Sequence, residues 1–360
     1  MTSLRDIALY ALRAAGGFRV AQFLTRRRLR ILCYHGFSTG DEHEVTPHMF
    51  MRPGTFERRM QMLQRRGIPV IPLDEAIRRL AARQIRHGET VITLDDGWTS
   101  NLTIGAPVLE KYGFPACIYV TTEHLDAGTE VFNVSLHYML CRSPRTELKL
   151  EGLHPLLDGA YDLRKDPDAL AVTLITAAEK AFPLLADRQQ LLGPIASALG
   201  MDLAGVLRDE RFRLMTGKEL LELDARGFDI ELHTHSHRLP DRDFESTASE
   251  VERNRAALRT VLGKEKRHFC FPSGQYKAQH PEWLRRLGIA SATTCDPGFN
   301  RPGSNAMLLK RYLDSDHVSD IAFEAEIAGV RELARGARAM LVSRRILRRR
   351  IVAAEQAGRA

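Results

Sequence analysis

Short, wholly apolar runs alternate along this chain with longer stretches in which apolar residues return every three or four positions. The first run, from Ile31 to Tyr34, reads as a strand buried on both faces. Phe56, Met60 and Leu63 then mark one face of a helix that Gly67 stops. The pattern continues with a strand from Ile68 to Ile71 and a helix from Asp74 through Ile77 and Leu80. A strand from Val91 to Leu94 follows, then a helix from Leu102 towards Tyr112 ending at Gly113, and a strand from Ala116 to Val120.

The rhythm resumes at Thr216, which with Glu219 makes a capping box ahead of Leu220, Leu221 and Leu223. Gly227 ends that helix, and strand residues run from Phe228 to Leu232. A long charged helix from about Ser246 to Leu262, a strand from Phe269 to Phe271, a helix from Pro281 to Leu287 and a strand from Ile289 to Thr293 complete the series. Strand and helix alternating about seven times require parallel strands with helices outside them. An open doubly wound sheet and a closed barrel both satisfy this α/β pattern.

Between Val131 and Arg213 the alternation breaks. That segment is rich in Leu, Ala and charge and carries Pro144, Pro155, Pro167, Pro183 and Pro194, so it reads as an inserted subdomain of several short helices. Residues 1–30 and 330–360 form basic ends. Arg26, Arg27, Arg28 and Arg30 stand at one end, and Arg344, Arg345, Arg348, Arg349 and Arg350 at the other, each near scattered large apolar residues. Such a segment is either a packed end helix with a solvated basic face or one making peripheral contact with an anionic membrane.

Composition adds little except through charge. With 360 residues, 44% hydrophobic and 27% charged, the chain is ordinary globular material with room for one large core. Its formal net charge of +7 suits an anionic partner, and no motif argues for nucleic acid. No stretch is apolar for long enough to cross a bilayer. Arg5, Arg13 and Arg19 interrupt the beginning of the chain, so a cleaved signal is not expected and a cytoplasmic location is. Cys33, Cys117, Cys141, Cys270 and Cys295 are odd in number and scattered, which fits small core residues in a reducing compartment.

Chemistry gathers immediately after three of the expected strands. Leu94 leads into Asp95-Asp96-Gly97, Leu232 into His233-Thr234-His235-Ser236-His237, and Phe271 into Pro272-Ser273-Gly274. Parallel α/β scaffolds collect functional groups at the carboxyl ends of their strands, so three equivalent positions point at one pocket. Imidazoles bind zinc and related divalent metals, and a catalytic site usually combines three protein ligands with an open position. Strand geometry would put the three histidines on one face, whereas a turn would pair His233 with His237. Adjacent carboxylates point apart, so one can complete a His-His-Asp set while the other removes a proton from water.

These motifs resemble the polysaccharide deacetylase family, also called the NodB homology domain or carbohydrate esterase family 4. Thr93-Leu94-Asp95-Asp96-Gly97 is similar to its T-F-D-D-G motif, and His233-Thr234-His235-Ser236-His237 to its H-[S/T]-x-x-H motif. The resemblance spans Ile31 to Gly329, interrupted by 131–213, and implies a distorted (β/α) barrel of about seven units with a helical insertion. It implies a metal-dependent hydrolase that removes N-acetyl groups from an amino sugar or polysaccharide. Asp95 is then the base; Asp96, His233 and His237 hold a divalent metal (Zn2+, with Co2+ or Ni2+ as alternatives); His235 is a spacer. His35, in Cys33-Tyr34-His35, is implied to face the pocket. Pro272, Ser273, Gly274, Tyr276 and Arg311 are assigned to the substrate.

The family's third motif carries an Arg that orients the base. Here the segment reads Phe269-Cys270-Phe271-Pro272-Ser273-Gly274, which leaves Arg311 as the substitute in space. His317 is the nearest candidate for the distal general acid, and the departing amine's proton comes from it, from His35 as a further catalytic residue, or from Asp95 itself once protonated. A barrel that binds carbohydrate without turnover and a related metal-dependent deformylase or amidase are the alternative readings.

Overall fold

Seven short strands, buried along nearly their whole length, make one parallel sheet: Arg30–Tyr34 (β1), Thr90–Leu94 (β2), Cys117–Val120 (β3), Asp229–Leu232 (β4), His268–Cys270 (β5), Ser291–Thr293 (β6) and Tyr312–Leu313 (β7). Their spatial order is β6-β5-β4-β3-β2-β1-β7, and every pairing is parallel. The protein is seen here as a computed structural model that describes residues 3–338 except residue 127, together with Met340. The basic cluster from Arg344 to Arg350 lies outside the described residues. Residues 330–338 are helical.

The sheet curls until its edges nearly meet. Leu309 bridges Thr293 on β6, and three residues later Tyr312 and Leu313 pair with Leu32 and Cys33 on β1. One segment therefore touches both edges, as a distorted barrel requires, and the open-sheet alternative is set aside.

Alternation along each strand separates two environments. Leu32, Ile92, Ile118, Ile230 and Leu232 face outward onto helices, meeting Phe56, Met60 and Leu63 of Pro53–Arg65, Leu220 of Gly217–Ala225 and Val251 of Phe244–Leu262. Burying each such side chain stabilises the fold by about 1.5–3 kcal/mol. Ile31, Val91, Cys117, Tyr119 and Cys270 face inward, with Leu73, Ala76 and Leu80 of helix Leu73–Ala81 in the same cluster.

Two expectations about strands need correction. The apolar run from Ile68 to Ile71 makes only a single bridge, Val70 to Thr90. Pro69 and Pro72 cannot donate to a ladder, which explains why no strand forms there. The seventh strand is instead Tyr312–Leu313, two residues between Arg311 and Asp314, too short to show as an apolar run.

The segment between β3 and β4 builds a second core from Leu136, Met139, Leu148, Leu174, Ile195 and Leu199, which joins the barrel through Trp98, Phe50 and Phe212. It contains helices Phe132–Arg142, Pro167–Ala181 and Leu192–Ala198 and also an antiparallel hairpin, Glu147–Leu150 with Gly159–Asp162. The sequence pattern pointed to helices alone and missed that hairpin. At the other end of the sequence, helices Leu4–Ala14 and Gly17–Thr25 lie against helix Asp320–Ile327, through Leu9 and Phe18 packed on Ile321, Ala325 and Ala328.

Candidate metal and catalytic site

The inward alternation of β2 carries Thr93 and Asp95 into the barrel, and the chain then breaks sharply: Asp96 adopts φ +76° and Gly97 φ +89°. That turn sends the two neighbouring carboxylates to different partners. Asp96 Oδ1 lies 3.3 Å from His233 Nε2 and 3.3 Å from His237 Nε2. Trp98 Nε1 donates to its other oxygen at 2.9 Å. The histidine loop turns just as sharply, with Thr234 at φ +64° and His237 at φ +57°. Ser273, across the site, sits at φ +54°. Left-handed conformations at non-glycine residues cost of order 1–3 kcal/mol each and persist where the surroundings over-determine them.

The surroundings here do so. His233 N–H donates to Asn254 Oδ1 at 3.0 Å, and Asn254 Nδ2 donates to the Val120 carbonyl at 3.0 Å. One turn earlier on the same helix, Glu250 accepts from Ser236 N at 2.5 Å and Ser236 Oγ at 2.7 Å. His233 Nδ1 stands 2.9 Å from the Cys270 carbonyl, which makes Nδ1 the donor and leaves the Nε2 lone pair, beside Asp96 and His237, free to ligate a cation. The site thus uses the i, i+4 pairing of His233 with His237. His235 points elsewhere, its Nδ1 2.9 Å from Thr122 Oγ1.

One carboxylate and two imidazoles offer ligand atoms within 4.8 Å of one another. That donor set, with one histidine oriented by a carbonyl and His237 open to solvent, fits a divalent metal of the zinc type. Burial opposes ionisation of Asp96, yet its contacts with His233 and His237 hold the carboxyl well below the usual range.

Asp95 is held quite differently. Arg311, wholly buried, forms a bidentate pair with it, Nη1 to Oδ1 and Nη2 to Oδ2 both at 2.7 Å. The same guanidinium donates to the Thr294 carbonyl at 2.9 Å and to Thr93 Oγ1 at 3.2 Å. Cys33 Sγ and Cys270 Sγ donate to Asp95 Oδ2 at 3.5 and 3.4 Å, and burial keeps both thiols protonated. Burial alone would raise the Asp95 carboxyl, but Arg311 outweighs it and holds the group down at about 2. The placing of Arg311 among substrate-contacting residues is therefore corrected: it is an interior residue engaged by Asp95.

His35 comes close to this carboxylate, with Nε2 4.0 Å from Asp95 Oδ2, and its carbonyl is held by Asn101 Nδ2 at 2.6 Å. Its Nδ1 is buried without a partner among the described residues. His317 is exposed, and the contacts of Asp95, Asp96, His233 and His237 do not include it.

The site opens into a cleft of about 580 Å3 between barrel and insertion. Barrel residues Asp96, Trp98, His237 and Ser273 line one side, and Phe132, Asn133, Glu179 and Arg188 the other. Of the four loop residues assigned to the substrate, Ser273 alone belongs to that lining. Pro272 is buried, Gly274 packs where a Cβ would fall 2.5 Å from Cys295 Cβ, and Tyr276 stacks 5.1 Å from Phe271 with its hydroxyl towards Asp296. Trp98, Asn254 and the insertion's cleft residues were missed from the sequence. Trp98 directly follows the Asp-Asp-Gly motif and carried the one available signal.

Residues 205–292 match the model of the polysaccharide deacetylase family, a stretch that includes the histidine loop but not Asp95 and Asp96. YxkH of Bacillus subtilis (strain 168), whose name places it with the polysaccharide deacetylases, is 34% identical over 94 residues. That alignment covers 26% of this chain and 32% of the relative's length. Two solved structures share the fold. The Streptococcus pyogenes deacetylase PplD, in complex with acetate, superposes with a TM-score of 0.55 at 16% identity, over 83% of this chain and 98% of that one. IcaB from Ammonifex degensii gives 0.54 at 19%, over 84% and 96%. The resemblance read from the two motifs therefore holds: this chain is similar to the polysaccharide deacetylase family in sequence over residues 205–292 and in fold over more than four fifths of its length.

Proposed function

We propose that the protein is a metal-dependent hydrolase that removes N-acetyl groups from an amino sugar or polysaccharide. The observation that carries this is the juxtaposition of an Asp96–His233–His237 ligand set with a second carboxylate, Asp95, fixed as an anion by Arg311. Asp96, His233 and His237 would hold a zinc-type ion, which when bound would supply Lewis acidity to the acetyl carbonyl and lower the pKa of water towards ~7.

The chain's own groups do the rest. Asp95 accepts the proton of the attacking water, which its ionised state at neutral pH permits. Asp95 cannot swing away, because Arg311 grips both oxygens and two thiols cap one of them. The amide N–H groups of Gly274 and Gln275 already donate to Phe271 and Pro272 carbonyls, and Ser273 alone of this loop lines the cleft, so its N–H is the loop donor assigned to the oxyanion. His35 is the imidazole assigned to protonate the departing amine, in preference to the exposed His317. Arg311 supplies in space the arginine absent from the third motif, which counts against a barrel without turnover.

The cleft's second wall, with Asn133, Glu179 and Arg188, offers hydrogen-bonding groups suited to sugar hydroxyls. All five cysteines are free, which supports a cytoplasmic site of action, and no helix among the described residues is long and apolar enough to cross a membrane. The test is acetate release from N-acetylated oligosaccharides by the purified protein, with chelator and with restored zinc or cobalt. Release that chelator stops and metal restores is expected. Bound metal without release from any acetylated sugar tested would count against the reading.

A further inference from the structure

Seven of the twelve large hydrophobic side chains that stand exposed among the described residues fall within the first 24 positions, Leu4, Ile7, Leu12, Val20, Phe23 and Leu24 among them. Leu4 is 87% exposed and Phe23 61%. These residues belong to helices Leu4–Ala14, none of whose residues is buried, and Gly17–Thr25, which buries Phe18, Ala21 and Thr25. Asp6 accepts from Ser319 Oγ at 3.0 Å, Arg13 lies 3.3 Å from Glu324, and Phe18 is buried against Ile321 and Ala325. The first helix is tied through Asp6, Arg13 and half-buried Leu9 and the second through buried Phe18, while the exposed apolar side chains are turned away from the barrel. A patch of this kind, rimmed by polar residues, marks a docking surface.

Charge identifies the occupant. Residues 3–28 hold six arginines against one acid, Asp6, which is already engaged by Ser319. Arg5, Arg19 and Arg27 are exposed and make no ion pair among the described residues. Residues 341–360 carry six arginines against one glutamate, so covering the patch with them would set like charge on like. A second copy meeting the patch isologously would do the same. A surface that is both apolar and anionic satisfies the two features together.

We infer that the outer face of these two helices is a docking surface for an anionic phospholipid bilayer, with the apolar residues entering the headgroup boundary and the arginines meeting the phosphates. Each arginine near such a surface strengthens binding on the order of fivefold. Ser319 follows the loop at the carboxyl end of β7, so the Leu4 end of the face stands on the side where the cleft opens. This docking goes beyond the deacetylase reading and does not depend on it.

The test is sedimentation of the full chain with vesicles of phosphatidylglycerol and phosphatidylcholine, against phosphatidylcholine alone. Binding to the anionic vesicles at low salt, weakening as salt rises, is expected. Two variants, Val20→Ser/Phe23→Ser/Leu24→Ser and Arg5→Glu/Arg19→Glu/Arg27→Glu, should each weaken binding more than tenfold, with unchanged melting because every altered side chain is exposed. A chain that stays in the supernatant at low salt overturns the inference, as do variants that sediment like the parent. Failure to sediment combined with a dimer that the serine variant dissolves would assign the face to a second copy. Acetate release plays no part in these readouts, so either idea can fail alone.

Discussion

Asp95 and Asp96 are neighbours in sequence with different partners, and substitutions should separate the tasks proposed for them. Asp95→Asn keeps the shape and the metal ligands but removes the proton acceptor, so turnover should fall by ~10²–10⁴ while bound metal, measured by elemental analysis, stays near parental. Arg311→Ala leaves Asp95 buried without its counter-charge. That should cost about 3–5 kcal/mol of stability by denaturant unfolding, with Arg311→Lys intermediate because a point charge cannot grip both oxygens. Near-normal turnover in Asp95→Asn would remove the role assigned to it. The grouping of Asp96 with His233 and His237 was legible because acids and histidines cluster after apolar strands. Arg311 could be named from the sequence as a substitute for the arginine missing from the third motif but not placed, since it lies 216 positions from Asp95 and only the curling of the sheet brings them together.

At the scale of elements, the strands that show in sequence are those with uninterrupted apolar runs, and they were placed to within a residue or two. Failures came where backbone chemistry overrode hydropathy, at the prolines flanking Val70, and where the sheet needed only two residues, at Tyr312–Leu313. Strand β4 also carries a pH-sensitive group. Glu231, buried beneath the Arg267 and His268 amides, titrates near 7 instead of 4.5 because burial outweighs those two hydrogen bonds and Lys266. The folded state keeps its proton where the unfolded state has lost it, so this group favours folding at low pH and the benefit is lost between about 4.5 and 7. Unfolding measured across that interval should show Glu231→Gln losing less stability than the parent, by up to about 3 kcal/mol. Asp314, raised to about 6, contributes a parallel slope that the comparison cancels. Equal slopes in the two proteins would exclude Glu231 as the source.

Over the whole molecule, the insertion and barrel meet at the cleft, and the ligand set joins β2 to the loop after β4. Metal bound there tethers parts of the barrel distant in sequence, so it should stabilise the folded chain, by about 2.7 kcal/mol when free metal is ~100 times its Kd. A thermal melt with chelator should fall several degrees below one with zinc, and Asp96→Ala should melt alike in both. The segment from Leu309 to Leu313 has a consequence in time as well as in space. It reaches β6 with one end and β1 with the other, contacts separated by very different lengths of chain, and entropy makes the long loop the slower to close. Arg311 sits in the middle of that clasp. The carboxylate proposed to take the proton therefore acquires its partner only when the ring snaps shut, so a nascent or partly opened chain carries that acid without its counter-charge until folding is complete.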